Sequence, residues 1–257
     1  MNPRHLIRTF PLLVCTAFLT VGGAYGQTAV KGKATFKGVP PKLKAISMDA
    51  DPVCAGKHTA GPVYAESAVI KADGSMKNVF VYVSKGLEGK TFAAPATPVV
   101  LDQNGCTYAP HVFGIMPGQQ MKVVNSDATT HNVHAMAETN EDFNVGQRAG
   151  QGPVVKTFPK PEVTIPIVCN QHPWMRAVAH VIANPYFAVS DVDGGFELKG
   201  VPPGTYTVTA ITEKYGSSSQ TVTVVAGKPV PPLTFTFAAG QALVASPLKL
   251  MPALMID

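Results

Sequence analysis

The chain has 257 residues, 46% of them apolar and 14% charged, with a formal net charge of +5. That mild basicity, without any long Lys/Arg run, argues against a nucleic-acid binder. The 23 Pro and 23 Gly are scattered as turn punctuation, which excludes a low-complexity or collagen-like chain. In chain order, residues 1–26 carry Arg4 and Arg8 ahead of an apolar run from Phe10 to Ala24 and end in Ala24-Tyr25-Gly26. This is the pattern of an export signal, and its apolar run is shorter than the ~20 residues a membrane span needs. Its removal discards Cys15 and two arginines, leaving +3 and no expected membrane span. The expected location is periplasmic or secreted, and about 230 residues remain, enough for two compact cores.

Short β-branched runs bounded by Gly, Pro, Asn or Asp recur along the mature chain, and sustained helical spacing is missing. Strands are predicted at 30–36, 79–83, 99–102, 107–112, 121–125, 131–135, 163–168 and 177–182. Residues 38–75, with Pro40-Pro41, Asp51-Pro52 and Gly61-Pro62, read as extended loops. Residues 27–184 are therefore expected to form one β-sandwich with an N-terminal extension. After Asn184-Pro185 the texture changes. Asp193-Gly194, Pro203-Gly204 and the alternating runs Tyr206-Val208-Ala210, Val222-Val224 and Leu233-Phe235-Phe237 predict a second β module over 185–239. Residues 240–257 form a tail with no assigned structure.

Three cysteines remain in the mature chain, an odd number that in an oxidising compartment leaves one thiol over. Cys54 and Cys106 lack a following His and Met and are the predicted disulfide. Cys169 is followed by His172 and Met175. Together with His131 upstream, these offer one thiolate, two imidazoles and one thioether. Such a His2Cys set with a weak axial Met suits copper cycling between two oxidation states. A tetrahedral zinc site rarely takes a thioether, and no Cys-x2-Cys-His for haem attachment is present.

The run Cys169-Asn170-Gln171-His172-Pro173-Trp174-Met175-Arg176 resembles the ligand loop of the cupredoxins, in particular the amicyanin/plastocyanin-like, methylamine-utilisation type. His131-Asn132-Val133 is similar to that family's first-ligand strand. The resemblance implies one type 1 copper held by His131, Cys169, His172 and Met175. It also implies that Asn132 steadies the thiolate, and that Pro173 stiffens the loop beside the sulfur. Trp174 is read as shielding the site or forming a docking rim. Residues 191–210 resemble the transthyretin-like sandwich of carboxypeptidase regulatory domains. The implied fold is all-β, a Greek-key cupredoxin-like β-sandwich followed by a smaller transthyretin-like β-sandwich.

His134 lies three residues from His131 and should face away from the metal if that strand is regular. His58, His111 and His180 lack ligand spacing and are read as structural. The implied function is single-electron transfer between a redox donor and acceptor that dock transiently. His172 is expected near the surface, in an apolar patch of Met116, Pro117, Pro173 and Trp174. Enzymatic chemistry is not expected, because Val168 and Asn170, rather than histidines reaching a second copper cluster, flank Cys169. The alternative is a copper carrier or sensor, or a module whose second domain binds a glycan or cell-surface partner.

Overall fold

The computed structural model describes residues 28–240, so the expected export signal and nearly all of the tail at 240–257 lie outside the described residues. The first strand is β1 (Thr28–Lys37), followed by the short helix α1 (Pro52–Lys57) and β2 (Phe80–Lys85). Then come β3 (Val99–Gln103), β4 (Tyr108–Ala109), β5 (Val112–Ile115), β6 (Gln120–Asn125), β7 (His131–Ala135), β8 (Phe143–Gln147) and β9 (Val154–Thr157). β10 (Glu162–Val168) and β11 (Arg176–Val181) complete this run. The chain closes with β12 (Phe187–Val189), β13 (Gly195–Val201), β14 (Gly204–Ile211), β15 (Ser217–Val224) and β16 (Leu233–Ala238). The protein is all-β, as its sequence texture predicts.

Four sheets make two sandwiches. In the first, a five-stranded sheet ordered β5-β11-β10-β7-β8 faces a four-stranded sheet ordered β4-β3-β6-β9. Their common core takes alternate side chains: Met121 and Val123 from β6, Val133 and Ala135 from β7, Ile165 and Ile167 from β10. In the second, β13-β1-β16 faces β12-β2-β14-β15 around Phe36, Val81, Val208, Val222, Phe235 and Phe237.

The sandwiches stack on each other. β11 sends Ala177, Ala179 and Val181 into the first core, while Val178 on its other face, and Ile182 just beyond its end, join Val112 and Phe80 in a third cluster between the modules. A strand covered on both faces reads as a continuous apolar run, and Ala177 to Ile182 does so apart from His180. Burying each such side chain is worth ~1.5–3 kcal/mol, against ~0–1 kcal/mol for an exposed ion pair. The apolar seam therefore dominates the join.

The pairing departs from the predicted boundary at 184. β1, expected in an extension of the metal-bearing sandwich, is the central strand of the other one, antiparallel to β13 and parallel to β16. β2, also assigned to the first sandwich, pairs with β12 and β14. The first sandwich is thus inserted into the second rather than preceding it. Alternation specifies which face of a strand is buried but not which sheet it joins, and that is why the pattern misplaced both. Residues 38–75 also hold more than loops: Asp51 caps α1 through Val53 N (2.8 Å) and Cys54 N (3.2 Å), with Pro52 at the first helical position.

Candidate metal centre

The site forms where β10 ends and β11 begins. Cys169 N donates to Met175 O (3.2 Å) and Met175 N donates to His172 O (2.9 Å), so the loop curls back on itself and gathers its side chains. β7 pairs with β10 through Val168↔His134, which brings His131 in from a separate strand. One nitrogen from each of His131 and His172 and the sulfur of Cys169 lie within 4.8 Å of one another, and all three residues are buried. His131 Nδ1 is 2.8 Å from His172 Nδ1, and Cys169 Sγ is 3.7 Å from His172 Nδ1. Met175 is completely buried in the same core cluster as Cys169.

Asn132 ties the two segments together. Its Oδ1 accepts from Asn170 N (2.8 Å) and from the Cys169 thiol (3.3 Å), while its Nδ2 donates to Asn144 Oδ1 (2.7 Å). Tyr108 donates its hydroxyl proton to Asn132 O, and burial beside Cys169 pushes the phenol well above its ordinary range, so it stays a neutral donor. Trp174 tilts against the His172 ring (centroids 5.0 Å apart) and donates Nε1–H to Cys106 O (3.1 Å). Pro173 is exposed beside it.

Both imidazoles meet a carboxylate on their far edge. His131 Nε2 lies 2.9 Å from Asp127 Oδ2, and His172 Nε2 lies 3.0 Å from Asp51 Oδ2. Burial works to raise the Asp127 carboxyl, but Lys57 and the Cys106 and Gly105 N–H groups, with His131, hold it below the usual range. For Asp51, burial is likewise outweighed by Cys54 N–H, Thr129 and His172. Burial in turn keeps His131 neutral, pushing its pKa down.

Two ionised carboxylates accept only, so each ring donates Nε2–H to its aspartate and turns Nδ1 inward. The two Nδ1 atoms face each other at 2.8 Å, with a sulfur alongside. Nitrogens at that separation share a proton, which a metal ion drawing on both lone pairs and the sulfur would replace. This donor set fits a soft or borderline metal such as copper, not magnesium or calcium.

Of the other sequence expectations, Cys54 and Cys106 form a disulfide with Cα atoms 5.6 Å apart, and Cys169 is the free thiol among the described residues. His134 leans away from the cluster, between Asn170 (3.2 Å) and Asp142 (3.2 Å). His58 bonds Gly105 O, His111 joins Glu213 to Arg176 O, and His180 packs between the modules.

Two expectations need correction. His172 is not at the surface: it is 5% exposed, with Asp51 and Cys54 covering its outer edge. The expected patch is also split, because β5 runs parallel to β11 and places Met116, itself 1% exposed, and Pro117 at the end of the sandwich away from Met175. Only Pro173 and Trp174 remain beside the site. Asp51, Lys57, Tyr108 and Asp127 were not anticipated there. The available signal was Asp51-Pro52, a helix-start dipeptide just before a cysteine.

Fold and site together define an all-β protein of two stacked sandwiches, with a buried Cys-His-His cluster at one end of the inserted one. Residues 177–238 match the family model described as carboxypeptidase regulatory-like domain. The match opens within β11 and leaves out β1 and β2, which the second sandwich draws from earlier in the chain.

Similar solved structures include a copper-containing nitrite reductase from Thermus scotoductus SA-01 (23% identity, TM-score 0.31), over 37% of this chain and 26% of that one. This chain thus spans about a quarter of that enzyme's length. An amicyanin from Paracoccus versutus (23%, TM-score 0.30) is similar over 40% of this chain and 97% of its own. A purple cupredoxin from Nitrosopumilus maritimus (18%, TM-score 0.28) is similar over 34% and 99%. No curated protein matches this chain.

Proposed function

We propose that this chain is an exported, mononuclear type 1 copper protein of the amicyanin-like kind that passes single electrons between redox proteins, and that it is not an enzyme. The observation that carries the reading is the meeting of two imidazole Nδ1 atoms and the Cys169 sulfur at one buried point, with both Nε2 edges already held by carboxylates. Copper, when bound, supplies a one-electron couple.

The residues do the rest. His131, Cys169 and His172 would hold the ion, and the buried Met175 thioether would be a fourth, weaker donor. Asn132 bridges ligand strand and ligand loop, so the cluster moves little, and small movement is what fast electron exchange requires. The low exposure of Cys169 (2%), His131 (0%) and His172 (5%) keeps water and small nucleophiles out. With His172 covered, Trp174 and Pro173 form the edge nearest the site that a partner meets. A carrier that must hand over its metal is less compatible with a cluster closed under a disulfide-tied cover.

Loading the purified chain with Cu(II) should give an intense absorption toward the red end of the visible spectrum, bleached by ascorbate and restored by a mild oxidant. Cys169→Ala should abolish that colour while the far-UV circular dichroism stays that of a β protein. A wild-type chain that stays colourless after loading would overturn the reading.

A further inference from the structure

We infer that Asp51 and Asp127 are positioning residues of the metal centre, each fixing one ligand imidazole with Nδ1 toward the ion, and that the charge of Asp51 sets the centre's preference for the oxidised ion. The inference rests on the copper reading above.

Each carboxylate splits its oxygens between scaffold and imidazole. Asp51 Oδ1 takes Val53 N (2.8 Å) and Cys54 N (3.2 Å), while Oδ2 takes Thr129 Oγ1 (3.0 Å) and His172 Nε2 (3.0 Å). Asp127 Oδ1 takes Gly105 N (2.8 Å) and Lys57 Nζ (2.5 Å), while Oδ2 takes Cys106 N (2.7 Å) and His131 Nε2 (2.9 Å). Neither aspartate lies in the ligand loop. Asp51 stands three residues before Cys54, and Asp127 binds the backbone of Cys106, so the Cys54–Cys106 disulfide joins the two carboxylate-bearing segments directly over the imidazoles.

The two aspartates differ in charge compensation. Asp127 is fully buried and neutralised by the Lys57 ammonium. Asp51 has no lysine or arginine partner among the described residues, and its contact with His172 is a hydrogen bond to the ring Nε2–H. Asp127 therefore acts chiefly by orientation. Asp51 adds a negative charge one imidazole away from the ion, and a negative charge favours the more positive oxidation state.

The test uses the full exported chain loaded with copper. Asp51→Asn removes the charge and keeps one accepting oxygen, for His172 or for the α1 cap but not for both; its reduction potential should rise by about 59 mV, a tenfold shift toward Cu(I). Asp51→Ala also removes the acceptor, and chelator competition should show Cu(II) affinity about 10- to 100-fold weaker. Long-range proton–nitrogen spectra of the Cu(I)-loaded wild type should place the proton on Nε2 of both rings, and Asp51→Ala should broaden or move the His172 signals. Because Asp127→Asn strands Lys57, the pair Lys57→Met with Asp127→Asn keeps the interior neutral, and it should shift the potential less than Asp51→Asn does.

A wild type that takes up copper while both Asp51 variants match it in potential, affinity and ring protonation overturns this inference and leaves the copper reading standing. A wild type that takes up no copper overturns both.

Discussion

His180 lies between the modules, its ring stacked on Phe80 at 4.0 Å and its Nδ1 accepting from Thr164 N (3.2 Å). Burial pushes its pKa down to about 3, whereas in an unfolded chain the imidazole titrates near 6.5. Below pH 6.5 the unfolded chain therefore binds a proton that the folded one refuses. Stability from this residue is full above pH 6.5 and falls by about 1.4 kcal/mol per unit down to pH 3. His180→Phe should remove that slope, so between pH 7.5 and 5 the wild type should lose about 2 kcal/mol more than the variant in urea unfolding. Parallel losses would show that the ring is not held neutral. At this scale the sequence was most readable where chemistry is local. Cys169, His172 and Met175 announce themselves in seven residues, and the odd thiol count singled out Cys54 and Cys106 as partners. Asp51 and Asp127 were silent because an acid before a helix or in a turn looks the same whether or not an imidazole folds against it.

The cover over the Cys169–His131–His172 cluster is one short helix held by one covalent link. A loop closed by cysteines 52 residues apart is worth about 4 kcal/mol in the chain-entropy model. The double variant Cys54→Ser with Cys106→Ser should lower the unfolding free energy by roughly that amount. It should also speed copper loss to an excess of chelator, because Asp51 is then held over His172 only by its hydrogen bonds. Unchanged loss rates would mean that α1 stays in place unaided. Among the strands, pattern reading missed β8, β9, β12 and β13 and reached β5 only at Val112, and each of these lies at the edge of its sheet. Two of them bury little: none of β12 is fully buried, and β9 alternates between half-buried and exposed. Their weak alternation follows from that position.

The whole molecule is a sandwich within a sandwich. β1 lies between β13 and β16, so residues 177–238 alone would leave that sheet without its middle strand and Val208 and Ala210 without β2 beside them. Expressed as a separate fragment, that stretch should remain unfolded by circular dichroism and amide exchange, whereas a chain of residues 28–240 folds; a folded fragment would show that β1 and β2 are dispensable. The same arrangement has a consequence for biosynthesis. Thr35 meets Phe235 across 200 positions, so β1, the first of the described strands to be made, waits for β16, the last of them. At ~5–20 residues per second that wait is on the order of 10–40 s. The inserted unit, whose strand pairs span at most 66 positions, can close meanwhile, and the second sandwich assembles beside it afterwards.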